Sequence, residues 1–301
     1  MLKSMKILML LGLVVGLQPA SAALHVFACE PEWASLLHEL AGDKAKVFTA
    51  TTAHQDPHHI QARPSLIARI RRADLVVCSG AELEIGWLPV LLRKSGNRAI
   101  QPGRPGYFEA AKQVKRLEVP QHVDRAMGDI HAAGNPHIQT DPRRIARVAR
   151  ALTARLIAID SSDAGAYKAR GKAFVQRWGR AIEQWTTRAR PLRGQRIVTQ
   201  HRGWTYLFDW LGMEDAGELE PKPGVPPSAG HLAELKAQLA SRPARMVIYA
   251  AYQNPRAARW LARETGIPAV ELPFTVGGTA AAKDLFTLFD DTLARLLGAL
   301  K

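Results

Sequence analysis

Only two cysteines occur in 301 residues, and they do not form a Cys-x-x-Cys pair. That argues against a thiolate metal site. Beyond one run near the amino terminus, no stretch approaches the roughly 18 uninterrupted apolar residues of a membrane-spanning helix. A His-Glu-x-x-His helix, the signature of many zinc hydrolases, is also absent. Acidic residues are outnumbered, 27 Asp and Glu against 41 Lys and Arg, for a formal charge of +14. Such a balance can mean nucleic acid or an anionic surface, but there is no basic tail and no aromatic ladder. The arginines recur at helical spacing, as in Arg143, Arg144, Arg147, Arg150 and Arg155. They read as solvated helix faces, and no nucleic-acid partner is predicted.

The amino terminus sets the compartment. Lys3 and Lys6 precede an apolar run from Ile7 to Leu17 and then Ala20-Ser21-Ala22, the pattern of a cleavable secretory signal over residues 1–22. No cysteine follows the cleavage site to carry a lipid, so a soluble periplasmic protein beginning near Ala23 is expected. Loss of the two lysines lowers the formal charge from +14 to +12. In an oxidising compartment Cys29 and Cys78 can pair, since both end strand-like runs, or remain as two buried thiols.

Two short runs share a form. Asp56-Pro57-His58 is followed 79 positions later by Asn135-Pro136-His137, just before Thr140-Asp141-Pro142. Proline fixes its own φ and pushes the residue before it toward an extended conformation, so each histidine sits on a stiffened loop. His201 follows the apolar run Ile197-Val198-Thr199-Gln200 at the end of a buried strand. Three imidazoles on rigid loops point to a metal site.

The mature chain, about 279 residues, exceeds what one core usually organises. Strand-like runs at 24–29, 46–51 and 75–79 alternate with helical spacing over Trp33 to Leu40 and Ser65 to Ile70. Asp141 and Pro142 read as the N-cap and first residue of a helix with an Ile145, Val148, Leu152, Leu156 stripe. A second long helix is predicted from about Ala164 to Arg188, carrying Tyr167, Phe174, Trp178, Ile182 and Trp185 on one face. A fresh series follows: strand 196–200, helix Ser228 to Leu239, strand Met246 to Ala250, helix Pro255 to Thr265, strand Ala269 to Leu272 and helix Ala281 to Leu297. The expected fold is α/β, with two parallel-sheet lobes at 23–163 and 191–301 joined by a linking helix within 164–190. Ligands of such sheets lie at the carboxyl ends of strands, which places His58 and His201 across a cleft. A helical spine predicts a small rearrangement rather than a wide hinge.

The runs Gln55-Asp56-Pro57-His58-His59-Ile60-Gln61-Ala62-Arg63-Pro64-Ser65, Ala73-Asp74-Leu75-Val76-Val77 and Gly80-Ala81-Glu82-Leu83-Glu84 resemble the zinc/manganese substrate-binding proteins of ABC importers (cluster A-I, zinc type). Gly134-Asn135-Pro136-His137 with Asp141-Pro142, and Val198-Thr199-Gln200-His201 with Trp204 and Tyr206, resemble that family's second and third ligand motifs. The resemblance implies His58, His137 and His201 as metal ligands, a membrane permease as partner, and zinc as cargo. Manganese is less favoured, because manganese-selective members tend to carry a carboxylate where this chain has His201. A monomer is expected.

One ligand stays open. Relatives often place an aspartate after the last strand, but here the segment reads Glu271-Leu272-Pro273-Phe274-Thr275-Val276-Gly277-Gly278. His59, Asp56, Glu271, Asp284 and water are the alternatives for the fourth position. The long His/Asp-rich loop of many zinc-specific relatives is absent, with only His122 and His131 between residues 100 and 136. His25, His38, His54 and His231 have no motif context. Trp204 and Tyr206 either screen the site or pack beneath the second sheet, and for Glu82 and Glu84 capping or a solvated loop is favoured over a cleft role. The expected function is capture of zinc without catalysis. The rival readings are a zinc-dependent hydrolase and a carrier of a chelate or small organic ligand.

Overall fold

The computed structural model describes residues 23–122, 128 and 131–301; the predicted signal segment lies outside the described residues. Two four-stranded sheets form, and every strand pair in them is parallel. The first contains β1 (Leu24–Ala28), β2 (Ala45–Thr49), β3 (Leu75–Cys78) and β4 (Tyr107–Glu109), in the order β2-β1-β3-β4. The second repeats that order as β6-β5-β7-β8, from β5 (Arg196–Thr199), β6 (Glu214–Glu218), β7 (Met246–Ala250) and β8 (Ala269–Leu272). The crossover helices are α1 (Pro31–Ala41), α2 (Pro64–Arg71), α3 (Leu88–Ser95), α6 (Thr205–Leu211), α7 (Ala229–Ser241) and α8 (Arg256–Thr265). Between the sheets run α4 (Pro142–Ile159) and the 25-residue α5 (Ala164–Arg188), and α9 (Leu285–Gly298) closes the chain. At 1.5 Å per residue α5 extends about 37 Å. The α/β class and the long intervening helix match the expectation.

Local chemistry explains the helix starts. Asp141 accepts from the Arg143 amide as N-cap, with Pro142 at the first helical position, where its missing N–H costs nothing. The last helix begins later than its periodicity suggests, at Leu285, because Asp284 and Thr287 form a reciprocal capping box. Four elements escaped prediction: α3, β4, α6 and β6. The last reads Glu-Asp-Ala-Gly-Glu, with no β-branched or aromatic residue, and is a strand because it pairs with β5.

The core runs through both halves. Ile145, Val148, Leu152 and Leu156 of α4 are buried, as are Tyr167, Phe174, Trp178 and Trp185 of α5; Ile182 is half-buried. Trp178 packs 4.8 Å from Phe286 and 5.2 Å from Phe174 between ring centroids, and its Nε1 donates to Pro142 O. Side chains of both sheets join this one apolar cluster. A wide hinge would expose it, at about 25 cal/mol for each Å² of apolar surface uncovered.

Arg143, Arg147 and Arg150 of α4 are exposed, as expected of a solvated face, whereas Arg144 and Arg155 are half-buried. Arg143 and Arg144 clamp the fully buried carboxylate of Asp141 and reach Asp209 of α6, the former at 2.7 Å and the latter at 3.1 Å. Arg155 donates to the carbonyls of Pro105 and Tyr107. Cys29 and Cys78 form a disulfide, brought together because β1 and β3 are neighbours in register. Neither sulfur is then a thiolate available to metal.

Beside the disulfide lies a buried acidic pair. Glu84, 3% exposed, accepts from the Ser79 and Gly80 amides, and Glu30 accepts from the Ser79 amide and hydroxyl. Burial pushes both carboxyls up, Glu84 to about 7, and the mutual repulsion of the pair adds to the shift of Glu30. The pair is best satisfied by sharing a proton. Because the folded-state values are raised, the associated stability is fully present below the ordinary value of 4.5 and is lost as pH rises toward and through 7. Glu84→Gln, which keeps an acceptor for the amides and supplies a permanent donor to Glu30, should raise the melting temperature at pH 8 by on the order of 5 °C and leave it nearly unchanged at pH 4.5. Thermal melts across pH 4.5–8 check this; equal slopes for both proteins would contradict it.

Candidate metal centre

Each motif histidine is held by backbone stiffness and one oriented acceptor. Asp56 Oδ1 accepts from the His58 amide at 3.0 Å and lies 2.7 Å from His58 Nδ1, while Trp87 Nε1 donates to Pro57 O and pins the loop. Burial alone would raise the Asp56 carboxyl, but the hydrogen bonds and charge of His58 hold it below the usual carboxylate range. In the second motif Asn135 Oδ1 accepts from the His137 amide. Asn135 Nδ2 donates across the cleft to Arg202 O and Thr205 Oγ1. The Tyr206 hydroxyl donates to Asn135 O at 2.6 Å and accepts from the Leu117 amide. Tyr206 is therefore a strut for the His137 loop. His201 follows β5, and its Nδ1 lies 2.8 Å from Glu220 Oε2. A carboxylate on Nδ1 orients the ring and leaves Nε2 free as a ligand atom.

The structure brings His58, His137 and His201 together. The His58 ring lies 5.3 Å from His137 and 5.6 Å from His201, and His137 lies 5.7 Å from His201, between centroids. A fourth imidazole joins them. His131 stacks 5.3 Å from His58, with the two Nε2 atoms 3.3 Å apart, and the ligand nitrogens of His58, His131 and His137 all lie within 4.8 Å of one another. In the sequence His131 stands out only as one of two histidines between residues 100 and 136. Its position six residues before His137 was the available signal; what could not be read was the anchor. Glu82 Oε2 accepts from the Ala132 amide at 2.6 Å, and Ala81 and Glu82 adopt left-handed φ values of 50° and 69° to place that carboxylate. Strain of this kind in two non-glycine residues persists where surrounding contacts enforce it.

The other candidates for the fourth position are placed elsewhere. Asp284 caps α9, Glu271 lies within β8 opposite Tyr249, and His59 is exposed with its ring 6.1 Å from His58. Asp56 supports His58 from behind. In the loop after β8, Phe274 sits 5.2 Å from the His137 ring and Trp204 packs 5.0 Å from Phe274. The last loop thus supplies an apolar wall. Glu84 proves to be a buried cap rather than a solvated loop residue.

The donor set fits a zinc ion. With bonds of 2.0–2.1 Å and tetrahedral angles, neighbouring ligand nitrogens stand roughly 3.3 Å apart, the spacing found between His58 and His131. His137 makes the stronger argument. It is 1% exposed, and neither ring nitrogen has a hydrogen-bond partner among the described residues. Buried polar groups are nearly always paired, so this ring is set for a ligand that a cation would supply.

Electrostatics agree. Burial, reinforced by the neighbouring histidine charges, pushes His137 well below its ordinary 6.5 and His131 down to about 4, so both offer lone pairs at neutral pH. Burial also opposes a charge on His201, but the hydrogen bond and charge of Glu220 outweigh it and raise its value. His201 therefore holds a proton that metal must displace, and affinity should fall as pH drops through its raised value. Calorimetry in buffers of differing ionisation enthalpy should find proton release on zinc binding that grows as pH falls through the raised value of His201 and fades above it. Glu220→Gln should release fewer; equal release by the variant would contradict this assignment.

Residues 26–299 match the family model described as zinc-uptake complex component A, periplasmic (ZnuA). The high-affinity zinc uptake system protein ZnuA of Bacillus subtilis is 23% identical over 92% of this chain and 86% of its own. A crystal structure of ZnuA superposes with a TM-score of 0.78 at 21% identity, covering 93% of this chain and 100% of that one. The manganese-bound periplasmic metal binding protein from Candidatus Liberibacter asiaticus superposes at 0.74 with 18% identity, over 92% and 99%.

Proposed function

The chain belongs to the family of periplasmic zinc-uptake components, and on that premise we propose that His58, His131, His137 and His201 together hold one zinc ion between its two halves. The protein is a zinc-binding component of an ABC uptake system and not an enzyme; its partner is the membrane permease of that system. The observation that carries the ligand assignment is the buried, unpartnered imidazole of His137, whose ligand nitrogen lies within 4.8 Å of those of His58 and His131, with the His201 ring 5.7 Å away between centroids.

Four neutral imidazoles suit zinc and leave no open position for a water nucleophile, which separates a carrier from a hydrolase. Manganese prefers carboxylate and carbonyl oxygen, and both carboxylates beside the site, Asp56 and Glu220, are turned to histidine Nδ1 atoms. Lobes at 23–163 and 191–301 with a linking segment at 164–190, a cleaved leader at 1–22, a monomeric state, no nucleic-acid partner and a mature chain without a lipid anchor complete the proposal. Among the described residues no helix is long and apolar enough to cross a membrane. The continuous core around α5 supports release by a local change in the ligand loops.

Chelator competition on the purified mature protein tests the assignment. One tight zinc per chain is expected, weakened at least about 100-fold by His137→Ala, by about 10- to 100-fold in His131→Ala, and unaffected by His59→Ala. The variant carrying His58→Ala, His137→Ala and His201→Ala should have no tight site. Wild-type affinity in His131→Ala would remove it from the ligand set, and failure of the wild type to take up zinc would overturn the whole reading.

A further inference from the structure

A cavity of about 900 Å³ opens beside the histidines, far larger than a bare ion needs and within the range of small-molecule sites. His58 and His201 line it, together with Asp56 and Glu220, the carboxylates paired with their Nδ1 atoms. One wall is α8, where Arg256, Trp260 and Arg263, spaced by four and three residues, share a face and all line the space. Neither guanidinium makes an ion pair or a side-chain hydrogen bond among the described residues. Gln200 lines the same cavity. It is 6% exposed, and its Oε1 has no hydrogen-bond partner, an unmet acceptor that costs free energy unless a donor comes from outside the chain.

We propose that this cavity is a subsite for a small hydroxy- or amino-polycarboxylate, the kind of anion that carries zinc as a chelate. The inference rests on the zinc-capture reading and adds the carrier to it. Two separated guanidiniums match two carboxylates, each able to make paired N–H···O bonds. The ligand's hydroxyl or amino group donates to Gln200 Oε1, and its carbon skeleton lies along the Trp260 face. A chelate seated there holds its metal against His58 and His201, so that zinc–oxygen bonds exchange for zinc–nitrogen bonds without release into solvent. The freed anion remains paired with the arginines until it leaves.

Citrate is the probe, with tricarballylate, the same skeleton lacking the hydroxyl, beside it. Calorimetric titration of the zinc-loaded mature protein should show saturable 1:1 binding of citrate. Arg256→Ala/Arg263→Ala should weaken it at least tenfold while leaving zinc affinity in chelator-free buffer unchanged, and tricarballylate should bind the wild type several-fold more weakly than citrate. Zinc content is measured on the same samples after desalting. Full zinc with no saturable citrate binding, or equal binding by the double variant, overturns the subsite alone. A chain that takes up no zinc overturns the capture reading and the subsite with it.

Discussion

A histidine ring that is buried, neutral and without a hydrogen-bond partner is an expensive object, and the architecture is arranged around one. Leaving a buried donor or acceptor unmet costs about 1–3 kcal/mol, and both nitrogens of His137 are in that position. The ring cannot relax toward solvent. Asn135 fixes its backbone, Tyr206 fixes Asn135 from the other half of the molecule, and Phe274 closes the face. Burial keeps it unprotonated, so the same constraint that isolates it also makes it a permanent electron-pair donor. Zinc held there as proposed would remove the cost, so that part of its affinity would come from a penalty already present in the fold.

The other three histidines of the proposed site divide the work. His58 and His201 are aimed by carboxylates on Nδ1, one from each half, so the cleft is read from both sides. His131 is held through the Glu82 carboxylate and the strained turn at residues 81–82. Rigidity beneath comes from α5 and the aromatic residues Trp178, Trp185, Phe286 and Phe289, which tie the halves into one core. The histidine loops are therefore carried on a shared, continuous core.

Much of this was legible in the chain. The Xaa-Pro-His runs announced stiff loops because proline restricts two residues at once, and the stripes of α4 and α5 announced the spine because four or five large apolar side chains recur at helical spacing. The strands that failed to announce themselves, β4 and β6, are edge strands: β4 is only three residues long, and β6 has no strand-forming residue of its own and depends on pairing with β5. His131 was hidden for a related reason. Its place depends on Glu82, 49 positions earlier, and on an unusual backbone conformation that no local pattern signals. Arg143 and Arg144 looked like surface charge because their partner Asp209 lies in another element 65 or more residues away.

X-ray absorption at the zinc edge of the mature protein carrying one equivalent of zinc tests the central claim most directly. The account predicts a first shell of four nitrogens at about 2.0–2.1 Å with outer-shell scattering from four imidazoles, reduced to three in His131→Ala. A first shell containing a carboxylate oxygen or water in place of the fourth imidazole, unchanged by that substitution, would contradict it.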